Sequence, residues 1–477
     1  MTLMSHVPRR LPVGAIPVGA IPYAATMHGA SPLAMILAVV IAIPGLLSAQ
    51  GAASPQRVSL GDAARLAARQ NGAVDVARAR ESQAEARVTQ RRGALLPDLA
   101  AGVQQSERTL NSATFGFSFN NPVTGRPLLR PDGELLGPVP ALDLRYRVQA
   151  PLLDLGKYQG WRASQATAGA ASLEVEAQAE AAAAMAAATY VRAARAEAQL
   201  AARRADSALA ADLVRIARDQ LSAGVGIALD VTRAESQLAN VRAQIIGARN
   251  ERDRTVLELK RVTGMQPGAQ IELADSLAAL PMESTLPTES AALDAALDAR
   301  PDVRALRAQE TAQQLAAKAI RWERTPQLSA LVEHGVIGRN YERLLPTYTW
   351  GVQLSLGIFD GFRRESRLEE QLAVARETDA KLKELRAQSS LDVRTALLDL
   401  ASATEQVDAV RERLRLAEQE VSQARERFRA GVAGNADVII ALLSLNQART
   451  LRNDALATYQ GARVALAKAM GTVRRMP

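Results

Sequence analysis

The clearest pattern in the chain is an alternation of apolar and polar positions over residues 347–359. Tyr348, Trp350, Val352, Leu354, Leu356 and Ile358 share one parity, and Thr349, Gly351, Gln353, Ser355 and Gly357 the other. A strand turns successive side chains to opposite faces, so this spacing predicts one apolar and one polar face. Residues 142–152 repeat it, with Leu142, Leu144, Tyr146, Val148, Ala150 and Leu152 set against Asp143, Arg145, Arg147 and Gln149. Shorter alternations, Leu99, Ala101, Val103 and Leu328, Ala330, Val332, predict partner strands. The longer runs, 11–13 residues, are long enough to cross a bilayer at a tilt. A water-facing antiparallel sheet over a soluble core gives the same alternation.

Elsewhere the period changes to seven. Val393, Leu400, Val407, Leu414, Val421 and Phe428 lie seven apart, as do Ala396, Ala403, Val410, Ala417 and Ala424. Together they make a coiled-coil seam sustained over five heptads. Ala441, Ala448, Ala455, Ala462 and Ala469 supply a partner seam in which small side chains let backbones approach closely. The pattern predicts very long helices over about 158–220 and 362–430, roughly 90–105 Å each at 1.5 Å per residue, folded into antiparallel hairpins. The earlier helix keeps the frame more weakly, with Arg203 and Ser207 interrupting it. Two further helices are predicted over 59–94 and 290–323, ended by Pro97 and Pro326.

These elements occur twice. Leu221, Ser222, Ala223 and Gly224 followed by Asp230 and Val231 match Phe428, Arg429, Ala430 and Gly431 followed by Asp437 and Val438, at an offset of 207. The same offset relates Ala234 to Ala441, Leu259 to Leu466 and Gly264 to Gly471. The long strands match at 206 and the prolines at 229. A repeat near 200 residues is too long for a solenoid unit and indicates a duplicated half-protein. Each half reads helix, strand, strand, very long helix, tight turn, helix. The division expected is a signal peptide at 1–49, a first structural repeat at 50–285 and a second at 286–477. Segments 106–140 and 334–346 are predicted to connect strands as loops, the first rich in turn residues such as Asn121, Pro122, Gly125, Pro131 and Gly137.

Composition narrows the function. The N-terminus carries Arg9 and Arg10, then an apolar run from Leu33 to Leu47 broken by Pro44, then small residues at Ser48 and Ala49. By position, charge and length this is an export signal, and the run is shorter than the about 20 apolar residues of a membrane-spanning helix. The chain has no cysteine, which excludes disulfides, thiolate metal sites and an acyl anchor on cysteine. Three histidines leave little for a histidine metal site. The formal charge is +8, but basic and acidic residues alternate along helices, as at Arg411, Glu412 and Arg413. That is the pattern of a solvated helix face, and no nucleic-acid partner is expected. No P-loop, G-x-S-x-G, H-E-x-x-H or dinucleotide fingerprint occurs, so an enzyme, a cofactor and a bound metal are not expected.

Four strands cannot close a barrel, and open edges in lipid leave backbone groups unsatisfied. Three copies would supply twelve, within the range of outer-membrane barrels. The two tip motifs, Gly224 with Asp230 and Val231, and Gly431 with Asp437 and Val438, resemble those of the TolC-like outer-membrane efflux protein family. So do the strand ends, Pro151 to Gly156 and Gly357 to Gly361. The resemblance covers nearly all of residues 58–472. It implies a mainly α chain with a small membrane β-barrel, assembled as a homotrimer with a helical tunnel beneath. It also implies outer-membrane lipids as surroundings, and a periplasmic adaptor (membrane fusion) protein and an inner-membrane efflux pump as partners. The tips would form the periplasmic entrance and docking surface: Gly224, Val225, Gly226 and Ile227, with Gly431, Val432, Gly434 and Asn435.

Asp230 and Asp437 are read either as stabilising the returning helices or as acidic rings at the entrance. Relatives hold the mouth with a tyrosine and an arginine where this chain has Phe428 and Ala433, and often carry a second acid where it has Ile440. The resemblance therefore implies a differently or more loosely latched mouth, with Phe428 at its constriction. Arg145 and Arg147 share the polar face of their strand and would line the barrel lumen. They either favour anions there or pair with Asp143 and Glu333. The rival to an outer-membrane channel is a soluble periplasmic coiled-coil adaptor or scaffold.

Overall fold

The computed structural model describes residues 56–116, 120–130, 132–282 and 287–477. The expected export signal and Pro131 lie outside the described residues. In chain order the elements are β1 (Gln56–Val58), α1 (Leu60–Gln70), α2 (Gly72–Gly93), β2 (Asp98–Asn111), β3 (Leu135–Leu153), α3 (Leu155–Ser222) and α4 (Ala228–Thr263). Then follow β4 (Ile271–Leu273), α5 (Glu289–Ala299), α6 (Pro301–Trp322), β5 (Gln327–Gly338), β6 (Leu344–Ser355), α7 (Arg363–Arg429) and α8 (Asn435–Met470). All belong to one compact unit, Ser54–Pro477. No helix among them is long and apolar enough to cross a membrane.

The long helices form as the heptads predict. α3 has 68 residues and α7 has 67, about 100 Å each at the helical rise. Val393, Leu400, Val407, Val421 and Phe428 are buried, and so are all five seam alanines of α8. The interruption foreseen at Arg203 is a polar layer joining the halves. Arg203 Nη2 donates to Thr450 Oγ1 at 3.0 Å, and Arg449 Nη1 to buried Asp206 at 2.7 Å. The main core lies midway along the long helices around Tyr190, Leu200, Leu400 and Tyr459. Burial pushes the Tyr190 hydroxyl up to about 12. It accepts the Asp275 amide at 3.2 Å. The small parallel pair of β1 and β4, absent from the sequence reading, adds Val58 to this core.

The two shorter helices predicted as single rods are each broken. Helix α1 starts on a reciprocal cap between Ser59 and Asp62. It ends at Asn71, whose Oδ1 caps α2 through the Ala73 amide at 2.9 Å and whose Nδ2 reaches the Val262 carbonyl at 2.8 Å. In the second half the break falls at Pro301, which opens α6. Buried Arg300 sits at that break and pairs with Asp302 at 2.8 Å and Asp392 at 3.1 Å. Each break faces the glycine that ends the return helix of its own half. Gly264 (φ 74°) and Gly471 (φ 70°) are both left-handed. A Cβ on Gly264 would lie 2.4 Å from the Gln70 carbonyl oxygen, and one on Gly471 2.9 Å from Arg300 Cα.

The four long strands form one antiparallel sheet in the order β2-β3-β5-β6. All but the last run further than their alternation marks, so the loops shrink to 112–134 and 339–343. Strand β6 stops at Ser355, leaving Gly357, Ile358 and Phe359 beyond it. The register stacks the apolar sets into rows: Leu99, Val148, Val332 and Trp350 in one, Ala101, Tyr146, His334 and Tyr348 in the next. Leu99, Tyr146, Val332, Tyr348 and Trp350 are all exposed.

The glycines make a ranked prediction. Gly224→Ala and Gly431→Ala meet open space and should lose only the roughly 1–2 kcal/mol of a left-handed alanine. Gly264→Ala and Gly471→Ala should lose about 1–3 kcal/mol more, because the backbone contact must also open. Equal drops in denaturation midpoint across the four would refute a role for the contact.

Candidate functional site at the helical tips and the sheet face

Both tips close in the same way. At the end of α3 the Val225 amide donates to the Gln220 carbonyl at 3.0 Å and the Gly224 amide to Leu221 at 3.0 Å. At the end of α7 the Val432 amide donates to Arg427 at 3.0 Å and the Gly431 amide to Phe428 at 3.1 Å. This paired bonding requires a left-handed residue just past the helix, which Gly224 (φ 79°) and Gly431 (φ 70°) supply. The other two glycines do not share that role. Gly226 is fixed by contact, since a Cβ there would lie 2.9 Å from the Leu221 nitrogen, and Gly434 has an ordinary extended backbone.

The residues grouped at the tips separate by exposure. Val225, Ile227 and Val432 project, with 79%, 57% and 68% of their surface exposed. Asn435 does not: it is buried, and its Nδ2 donates to the Asp230 carbonyl of the other hairpin at 2.7 Å. Gln220 makes the converse tie, donating to the Phe428 carbonyl at 2.8 Å. Phe428 is itself buried in an apolar cluster with Leu213, Val421 and Val438, so within one chain it is core. Asp230 and Asp437 occupy the first turns of α4 and α8, and neither helix has a side-chain cap there. Their contribution to the helices is the attraction of a negative charge to an N-terminus. A further link went unseen in the sequence. Asp212 of α3 pairs with Arg425 of α7, with Arg215 at 2.6 Å and with Arg429 at 3.8 Å. Its only sequence signal is a run of charges flanking the seam, which does not name a partner.

On the sheet, Arg145 and Arg147 lie on the polar face. Arg145 Nε donates to Asp143 at 2.8 Å and its Nη1 to Glu333 at 3.1 Å, while Arg147 Nε donates to the other oxygen of Glu333. Glu333 stands directly across from Arg147 in the register. Gly335 stands across from Arg145, where a Cβ would overlap Arg145 at 2.6 Å. Two guanidinium groups and two carboxylates thus balance one another. Among the described residues no cluster of histidine and acidic side chains is arranged to hold a metal.

The outer membrane efflux protein family matches residues 63–265 and 292–472. No curated protein matches the chain. Among solved structures, the chain is similar to the CmeC outer membrane channel of Campylobacter jejuni at 18% identity and a TM-score of 0.67, over 87% of this chain and 85% of that one. It is similar to the outer membrane protein VceC of Vibrio cholerae at 18% identity and 0.68, over 86% and 96%. The open state of the MtrE outer membrane channel of Neisseria gonorrhoeae gives 17% identity and 0.70, over 86% and 88%. At such identities the likeness is one of fold.

The ties between hairpins are open to measurement. Asn435→Ala removes the bond to the Asp230 carbonyl, which keeps its helical donor, at a cost of about 0.5–1.5 kcal/mol. Amide exchange should quicken in both tips and not in α1. Unchanged exchange in the tip that retains its own sequence would show that the two hairpins are not coupled there.

Proposed function

Because the chain belongs to the outer membrane efflux protein family, we propose that it is the exit duct of a tripartite efflux or secretion system, completed as a homotrimer. It resides in the outer membrane, with a large helical part in the periplasm. The observation that carries the trimer is the sheet itself. Strands β2 and β6 each present one edge with no partner among the described residues. In lipid those amides and carbonyls need partners, and a second and third copy supply them by joining β6 of one chain to β2 of the next. Three four-stranded sheets then close as twelve strands. The rows ending in Trp350 and Tyr348 face lipid, and the face of Arg145 and Glu333 lines the lumen.

In this reading α3, α4, α7 and α8 of three chains continue the duct downward, and the six tips form its mouth. The exposed Val225, Ile227 and Val432 are the docking surface for the periplasmic adaptor and the pump. Within each chain the mouth is held by Gln220, Asn435 and the Asp212–Arg425 pair. With Phe428 buried and Ala433 uncharged, the hold between chains is loose. The duct is passive, and its residues perform no covalent chemistry. A soluble adaptor is not favoured, because it has no use for a sheet with so exposed an apolar face.

Fractionation tests the core of the proposal. The protein should remain with outer membranes through a high-salt wash and migrate as a trimer after mild detergent extraction. Release by salt alone as a monomer would support the soluble reading instead. Bilayer recordings test the lining. Charge balance predicts no strong anion preference in the wild type, and Glu333→Gln should create one by freeing Arg147 while Arg145 stays on Asp143. An anion-selective wild type would show that the arginines act unpaired. The same recordings report the mouth, where a pore shut as tightly as that of polar-latched relatives contradicts a loose hold.

A further inference from the structure

Midway down the long helices lies a cleft that neither the sheet nor the tips employ. It opens between α3 and α4 with α8 at its side, and its volume is about 790 Å³. Ala196, Gly247 and Ala248 keep it open with small side chains, and a Cβ added at Gly247 would meet only open space. Its walls carry Arg192, Arg195, Arg203 and Arg254. Three of these hold a carboxylate: Arg192 takes Glu258 at 3.0 Å, Arg195 takes Asp454 at 2.8 Å and Arg203 takes Asp206 at 3.4 Å. A guanidinium has five donors, so each such contact leaves others over. Arg192 and Arg195 remain about half exposed. Arg254 is exposed and has no side-chain partner among the described residues.

The acceptors occupy a different level. Gln199 donates its amide nitrogen to Asp454 at 3.3 Å, which fixes the orientation of the amide. Its Oε1 is buried without a donor among the described residues, and such an acceptor is costly to keep. Arg192 meets Glu258 across the hairpin, so Gln199 and Glu251, each seven residues nearer the tip, stand level with one another. Glu251 also lines the cleft, and its carboxylate has no partner among the described residues. Arg195 and Arg254 stand one turn higher, about 5 Å nearer the sheet. Donors above and acceptors below match a molecule with a carboxylate at one end and an N–H group about 5 Å away.

The other side of α3 shows which way the cleft faces. Tyr190 packs beneath β1, α1 and the C-terminal residues Val473 and Met476. A duct must keep its bore clear, so the covered side is the outside. At about 3.6 residues per turn, Arg192, Arg195, Gln199 and Arg203 lie roughly 140–220° around the helix from Tyr190. They look into the bore. We propose that this cleft is a binding station on the inner wall of the duct for small peptide-like carboxylates, molecules that carry a carboxylate together with an amide or amine N–H. This rests on the reading of the chain as a duct. The four guanidinium groups stand against the carboxylates of Glu251, Glu258, Asp454 and Asp206. The station therefore selects by the placement of groups and not by net charge.

Dansylglycine, with a carboxylate, a sulfonamide N–H and a planar body, is a suitable probe. Its fluorescence anisotropy is read on the full-length protein in dodecyl maltoside, with the signal of empty micelles subtracted. The expected result is saturable binding that weakens at least fivefold in Arg254→Gln and in Gln199→Leu. Dansylcadaverine, which has an amine in place of the carboxylate, should not bind saturably. Arg254 makes no contact that the fold needs, so its variant carries the test if Gln199→Leu does not assemble. Absence of saturable binding, equal affinity in wild type and Arg254→Gln, or equal binding of dansylcadaverine overturns the station. Bilayer currents then locate it. Dansylglycine should lower the wild-type current and leave that of Arg254→Gln unchanged. A conducting pore whose current ignores the bound probe would put the cleft on the outer wall and overturn the proposal. Protein that binds the probe as expected yet never conducts would remove the duct reading, and the inner-wall placement with it.

Discussion

Lipid offers a backbone amide no partner, and that constraint shapes the rest of the molecule. The larger sheet of each chain has four strands, and its two outer edges have no partner among the described residues. A sheet in water tolerates such edges by solvating them, whereas in hydrocarbon each unpaired group costs several kcal/mol. In the proposed trimer other copies continue the open edges of the sheet, and the long helices, which begin just past the strands at Leu155 and Arg363, follow whatever symmetry the strands adopt.

The helices meet that demand through small side chains. Alanine at every seam position of α8 brings backbones close, and the larger residues of α7, Leu400 and Val407 among them, fill the space between. The seam is uniform enough to slide, and polar layers oppose sliding. Asp206 with Arg203 and Arg449 fixes α3 against α8 midway, and Asp212 with Arg425 fixes α3 against α7 near the tips. Each removes one register from the many that an alanine seam would accept. The glycine contacts at Gln70 and Arg300 fix the opposite end of the return helices.

Most of the architecture was legible because two periods, two and seven, repeat over long stretches and then recur some 206 residues later. Boundaries were less so. Strand β2 continues to Asn111 through Gln104, Gln105, Ser106 and Glu107, polar residues that erase the alternation while the backbone ladder persists. The breaks at Asn71 and Pro301 are weakly signalled, since a proline inside an apolar pattern and an asparagine before a glycine are outweighed by the surrounding periodicity. At the candidate site the sequence grouped residues by position in the turn. It did not reveal that Asn435 points inward, because that depends on a neighbouring hairpin more than 200 residues away.

The two tips share a closing geometry but not a surface. Val225 and Val432 occupy the same place past their helices and project alike, yet one turn continues with Gly226 packed tightly beneath it and the other with Ala433 and an open Gly434. In the proposed trimer a partner that grips only the valines would meet six equivalent seats, and one that reads the following residue would meet three. The stoichiometry of the proposed assembly would thus be set by how far a partner's contact extends past a single side chain.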